Sequence, residues 1–202
     1  MNDLPFSEAC ERNKVPILHV LRGVLSDCRY VLEIGSGSGQ HAVFFTRHLP
    51  CLSWQASEIR ENLEGLRQRL SQEAPANVKT PLFLDVCQRP WPVTAADAIF
   101  TANTLHIMSW DHVQQMFFGI GQVLCPGGLL CIYGPFRYHG AYTSPSNEQF
   151  DQWLKRQDPR SGIRDFEAVD RLAAEQGLSL FKDVPMPAHN QLLIWRRQVA
   201  NS

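Results

Sequence analysis

Glu33, Gly35, Gly37 and Gly39 fall in one short run, Val31-Leu-Glu-Ile-Gly-Ser-Gly-Ser-Gly-Gln40. An apolar segment passes into a glycine turn that opens a helix. Glycine accepts positive φ and lets a ligand approach the backbone closely. The helix start offers unpaired N–H groups to an anion. Glu58 ends the next apolar segment, where a carboxylate accepts hydrogen bonds from both hydroxyls of a ribose. An acid at a helix start also suits the helix dipole, so the bland role stays open. Asp85 and Val86 end a third segment, and the acid there accepts from an adenine amino group or caps a turn. Asn103 follows a fourth, and His106 comes three residues after it. A neutral imidazole at that edge takes a proton from an acceptor, or serves as a hydrogen-bonded structural histidine.

Two cofactor classes use a glycine turn of this kind. Dinucleotide binders want G-x-G-x-x-G, and Gln40 occupies the third glycine position, so that fingerprint fails. The pattern Glu-x-Gly-x-Gly-x-Gly fits Glu33, Gly35, Gly37 and Gly39 in full. It is similar to the loop of doubly wound methyltransferases that bind S-adenosylmethionine (SAM). Ser36 lies inside this loop and joins the candidate cofactor contacts.

The elements that must hold these residues alternate in type. Short apolar strands are predicted at 30–34, 52–56, 81–86, 98–102 and 129–133. Amphipathic helices are predicted at 15–25, 40–48, 60–73 and 111–124. Asn13 is read as the cap of the first helix and Asp111 as that of the fourth. Strands separated by helices of this length call for a mostly parallel sheet covered on both faces. Residues 134–162 break the rhythm with Pro, Ser, Asn and aromatics, and a helix is predicted within them at 147–157. A helix at 165–176 and strands at 178–184 and 192–196 close the chain. The last connection is too short for a crossover, so these two strands pair antiparallel.

Composition narrows the function classes. With 202 residues, one domain is the expectation. The 19 Lys and Arg balance 20 Asp and Glu without a basic block, so nucleic acid and anionic membranes are not expected partners. No segment is apolar enough for a membrane span, and the N-terminus has no signal-like apolar core. The six cysteines, Cys10, Cys28, Cys51, Cys87, Cys125 and Cys131, include no C-x-x-C pair. They read as free thiols in the cytoplasm, and no metal is expected.

From about Glu11 to Arg196 the chain resembles the DUF938 or UPF0585 group of short methyltransferase-like proteins. The strings that carry this are Glu11-Arg-Asn-Lys14 with Pro16–Arg22, Ser36–Ala42, and Asn77–Lys79 with Leu84-Asp-Val86. Asn103 with His106 and Tyr133-Gly-Pro135 also match. So do Ser144–Asn147 with Phe150-Asp151, Gly162–Asp165, and Met186-Pro-Ala188 with Asn190. The resemblance implies a single Rossmann-like α/β domain over 1–202 and a seven-stranded sheet in the order 3-2-1-4-5-7-6 with an antiparallel terminal hairpin. It also implies SAM as cofactor.

Around that frame, residues 1–28 are expected to form a lid and helix, with Arg12 and Asn13 reaching the cofactor. The insert 135–162 is expected to form the pocket for a small-molecule acceptor. Tyr138, His139, Asn147, Trp153 and Arg164 are its candidate contacts, with Tyr142 and Phe150 as further aromatic wall. His106 is the candidate catalytic group. His189 and Asn190 fall in the last turn, where a plain turn role serves equally well. The alternative function is a SAM-binding protein without turnover. Oligomeric state is not legible.

Overall fold

The computed structural model describes residues 4–199. The first three residues of the expected 1–28 segment and the last three of the chain lie outside the described residues. The elements run α1 (Glu8–Val24), β1 (Tyr30–Ile34), α2 (Gln40–His48), β2 (Ser53–Glu58), α3 (Arg60–Glu73), β3 (Leu82–Phe83), β4 (Ala96–Ala102), α4 (Trp110–Val123) and β5 (Leu124–Gly134). They continue with β6 (Phe136–Tyr138), β7 (Ala141–Tyr142), α5 (Pro145–Gln157), β8 (Arg164–Asp165), α6 (Phe166–Glu175), β9 (Leu178–Met186) and β10 (Asn190–Arg197).

Seven strands form one sheet in the order β3-β2-β1-β4-β5-β10-β9. β1 to β5 pair in parallel, and β10 runs antiparallel to both β5 and β9. Counted over these seven strands alone, this is the order 3-2-1-4-5-7-6 with its terminal hairpin. Side-chain alternation along the strands builds two cores. Leu32, Ile34, Ile99, Leu130 and Ile132 cluster with Val113, Met116 and Ile120 of α4 and with Val169 of α6. Val31, Trp54, Phe100 and Cys131 cluster with Ile17, Phe45 and Leu66 from α1, α2 and α3. Covering both faces is why the central strands are almost wholly apolar.

Several local expectations change. α1 starts at Glu8 because Ser7 accepts a hydrogen bond from the Cys10 N–H, and Glu8 and Glu11 suit its first turn. Asn13 is therefore not a cap but a buried residue within the helix. α4 is capped by Ser109, whose side chain accepts from the His112 N–H, and Asp111 lies in the first turn. β3 pairs over two residues only, then leaves the sheet through a turn in which Asp85 Oδ1 accepts from the Cys87 N–H (2.8 Å). Besides the helix α5, the insert holds the hairpin of β6 and β7, which joins β8 in a small separate sheet. No helix of the described residues is long and apolar enough to cross a membrane.

The chain direction of the crossovers reverses between β1 and β4. At such a switch point the loops after adjacent strands diverge and leave a crevice at the carboxyl ends.

Candidate functional site

A cleft of about 1000 Å³ occupies that crevice. Its floor is the loop after β1. Gly35, Gly37 and Gly39 take φ of 69°, 53° and 78°, the left-handed region. A side chain on Gly39 would strike Leu66 of α3 at 2.8 Å, so this glycine is required for packing. A Cβ on Gly37 would meet nothing within 4 Å, and this glycine lines the cleft. Gly35, Ser36, Gly37 and Ser38 all line the cleft, whereas Gly39 caps α2 beneath it.

The loop is held by the acids that flank it. Glu58 accepts from the Gly37 N–H (2.7 Å) through one oxygen and from the Ile59 N–H (2.8 Å) through the other. Its carboxylate also lines the cleft. Glu33 does not line the cleft. It is buried behind the loop, where one oxygen accepts from Ser36 Oγ (2.8 Å) and Trp54 Nε1 (2.9 Å). Burial raises its pKa from 4.5 to about 7, against the lowering effect of the two donors and with a push from Glu58. Glu33 is thus a brace for the loop rather than a ligand contact.

This has a consequence for stability. Between pH 4.5 and about 7 the folded protein keeps a proton on Glu33 that the unfolded chain has released. The contribution of Glu33 to stability therefore falls as pH rises through that window and is level above it. Burial of His41 and His106 acts in the opposite sense over an overlapping range, about pH 4 to 6.5, but is common to both proteins compared. Glu33→Gln is expected to gain up to about 3 kcal/mol relative to the parent on going from pH 5 to pH 8. Urea unfolding of both proteins at the two pH values measures it. Parallel pH dependences would remove Glu33 from this role.

Asp85 and Val86 line the far end of the cleft, where Asp85 also holds its turn. Asn103 lines it from the end of β4 with φ of 58°. His106 is 6% exposed and faces the cleft, with its ring edge against Phe150 (5.3 Å). Among the described residues its ring nitrogens have no hydrogen-bond partner. Burial, then the nearby Arg164 charge, lowers its pKa to about 4, so the imidazole is neutral at pH 7. A buried, neutral and unpartnered imidazole facing a cleft can still accept or donate one hydrogen bond from a ligand.

The other expected contacts divide. Arg12 lines the cleft from α1, exposed and only loosely paired with Glu8 (3.9 Å). Asn13 does not line it, because its Oδ1 meets His41 Nε2 at 2.6 Å. Asn147 and Phe150 of α5 do line it. Tyr138, His139, Trp153 and Arg164 do not. Tyr138 donates to Asp183 on β9 (2.7 Å) and stacks on Phe166. His139 sits in the exposed β6–β7 turn near Glu167. Trp153 is on the outer side of α5, stacked on Phe150. Arg164 donates to the carbonyls of Leu105 (3.2 Å) and Met108, which ties down the His106 loop from behind. The small sheet carries Tyr138, His139 and Arg164 away from the cleft, and Trp153 lies on the outer side of α5, choices set by pairing and packing and invisible to composition.

The cleft also has walls not anticipated. Ser7 and Cys10 of α1 and Ser38 and His41 of the α2 start line it together. His41 is held neutral by burial, with a pKa of about 4. Ala188 and Asn190 contribute from the β9–β10 turn, which Asn147 secures by donating to the His189 carbonyl (3.0 Å). The one available hint was Gln40, a polar residue standing where a glycine was sought. Among the described residues, no group of three or more His, Cys, Asp or Glu side chains is placed to hold a metal ion.

The chain is similar in fold to several solved methyltransferases. An O-methyltransferase family protein from Burkholderia thailandensis matches at a TM-score of 0.82 and 18% identity, over 96% of this chain and 59% of that one. Human N-acetylserotonin methyltransferase in complex with SAM matches at 0.80 and 18%, over 95% and 53%. An O-methyltransferase family 2 protein from Planctomyces limnophilus in complex with apigenin matches at 0.72 and 17%, over 91% and 61%. The chain spans little more than half the length of these proteins. The sequence profile of one family, described as protein of unknown function (DUF938), matches residues 4–197. With nearly its whole length matched by that profile and its sheet that of a methyltransferase, the chain is a member of the DUF938 family with a Rossmann-like methyltransferase fold.

Proposed function

We propose that the protein is a SAM-dependent methyltransferase acting on a small-molecule acceptor. The observation that carries this is the single cleft at the sheet's switch point, in which the glycine loop, Glu58, Asp85 and His106 converge. The fit of SAM rests on that donor set. Gly37 leaves an open cradle over the loop. Glu58 supplies acceptors for ribose hydroxyls, and Asp85 with Val86 supplies an acceptor and an apolar contact for adenine. Bound SAM provides an electrophilic methyl sulfonium. The residues of this chain must orient the acceptor, exclude water and take up the acceptor's proton.

The acceptor half is framed by His106, Asn147, Phe150, Pro135 and Asn190, with Arg12 across it. The carboxylates that line the cleft, Glu58, Glu61 and Asp85, sit at the end of β2, in the first turn of α3 and in the turn after β3. The acceptor half is neutral apart from Arg12, which suits an acceptor bearing a carboxylate. His106 accepts the proton shed by the acceptor's O–H or N–H. Six free thiols support a reducing compartment such as the cytoplasm. The balance of 19 Lys and Arg against 20 Asp and Glu, without a basic block in the sequence, favours a small molecule over a nucleic acid as acceptor.

The first test is binding of SAM by calorimetry, followed by release of S-adenosylhomocysteine with a panel of small carboxylate-bearing phenols and amines. Binding without release from any acceptor favours a SAM-binding protein without turnover, and no binding ends the proposal. Glu58→Ala is expected to lower SAM affinity by about 10-fold to 150-fold, the worth of hydrogen bonds to a charged acceptor. An analogue lacking both ribose hydroxyls should lose much less. Equal losses would show that Glu58 acts only through the Gly37 and Ile59 N–H groups of the loop.

A further inference from the structure

The first turn of α1 and the glycine loop meet on one side chain. Gln40, the first residue of α2, is 6% exposed and uses both ends of its carboxamide. Its Oε1 accepts from the Ser7 N–H (2.6 Å) and from Ser38 Oγ (2.8 Å). Its Nε2 donates to Glu11 Oε1 (2.7 Å) and to the Ser7 carbonyl (3.4 Å). A primary amide has two donors and one twice-accepting oxygen, and here all are engaged. Ser7 is the cap of α1 and Ser38 belongs to the loop, and both line the cleft. Cys10 and Arg12, on the next turn of α1, line it beside them. The neighbouring pair of Asn13 and His41 repeats the link one turn further along.

We propose that Gln40 is a positioning residue that fixes the first turn of α1 against the glycine loop, making Ser7, Cys10 and Arg12 one wall of the cofactor site. The inference rests on the reading of the cleft as a SAM site. Glu58 and Asp85 take the nucleoside at their end of the cleft. The wall from α1 then lies along the remaining part of the ligand, its amino-acid end. No hydrocarbon replaces the amide's donors and acceptors, and no carboxylate replaces its donors. α1 is thereby a fixed wall rather than a loose lid, since Arg69 of α3 also donates to the Pro5 carbonyl (2.7 Å).

The test uses the full chain and two probes, SAM and 5′-methylthioadenosine, the related nucleoside thioether without the amino-acid part. In Gln40→Ala, SAM affinity is expected to fall about 10-fold while methylthioadenosine stays within about 2-fold. Gln40→Glu adds a readout that general loosening would not move. Its introduced carboxylate faces Glu11, with Lys14 of α1 and Arg69 of α3 acting on Glu11, while His41 stays neutral across pH 5–8. Two carboxylates so placed share a proton on acidification. Relative to the parent at each pH, Gln40→Glu should bind SAM weakly at pH 8 and recover at pH 5, whereas Gln40→Ala should show no recovery. Equal losses for both probes, or a pH-independent Gln40→Glu defect, would overturn the positioning role and leave the cofactor reading standing. Parent protein that binds neither probe would overturn that reading, and this inference with it. If Gln40→Ala does not fold, the pH comparison on Gln40→Glu decides.

Discussion

Gly37→Val is expected to abolish measurable SAM binding while the protein stays folded. Two effects act at this one position. The backbone has φ of 53°, where a β-branched residue is a steric outlier costing about 1–2 kcal/mol. That cost is too small to unfold a domain with ordinary stability. The Cβ of the new side chain has no neighbour within 4 Å, so the branch point itself meets nothing in the protein. It stands instead in the space over the loop, and its strain disturbs the N–H that Glu58 accepts. Gly39→Val provides the contrast. Its side chain would meet Leu66 at 2.8 Å and Arg69 at 3.3 Å, so it should damage folding first. Calorimetry with SAM and circular dichroism on both variants separate the outcomes. Unchanged affinity in folded Gly37→Val would remove the loop from the binding site.

His106→Ala is expected to lower methyl transfer by about 10²-fold, the low end for a general base because burial leaves this imidazole weakly basic, with SAM affinity kept within a few-fold. The imidazole is buried beside Phe150, lines the cleft and has no side-chain hydrogen-bond partner among the described residues. Its folded pKa of about 4 also sets the pH profile. The neutral ring is the competent form, so turnover should be level from about pH 6 upward and fall as pH drops toward 4. The Ala variant should lose that acidic limb as well as rate. Turnover measured as S-adenosylhomocysteine release with an acceptor found by the screen provides both readouts. Full activity in His106→Ala, or an unchanged acidic limb, would assign the histidine to structure. Arg164 offers a graded companion, because it holds the carbonyls of Leu105 and Met108 on either side of His106 without lining the cleft.

What the chain's order of residues determined by itself is the sheet and the floor of the cleft. Helical and strand periods are local properties, and α2 and α3 begin and end where their apolar spacing and flanking residues say they should. The Glu33–Gly39 run is local too, so its turn and its place after a strand could be read in one window. Glu58, Asp85 and Asn103 followed from the same rule, since each lies at or just after the carboxyl end of a strand of the parallel part of the sheet. Even there, only the fold separated their duties: Glu33 turned inward to brace the loop, while Glu58 kept its carboxylate at the cleft.

The walls were decided by tertiary structure alone. Asn13 suits a helix cap on local grounds, but Ser7 captured the Cys10 N–H and left Asn13 buried against His41. Gln40 looked like a failed glycine motif, and its role needs Ser7 and Glu11, some 30 residues away, to arrive at the same spot. The insert shows the limit most clearly. Its aromatic content suggested a pocket, yet whether Tyr138 or Phe150 faces the cleft depends on pairing among β6, β7 and β8 and on how α5 lies across them. Tyr138 found Asp183 and Phe166, and Phe150 found His106. Those partners are distant in sequence, and no local period carries information about which one a side chain will meet.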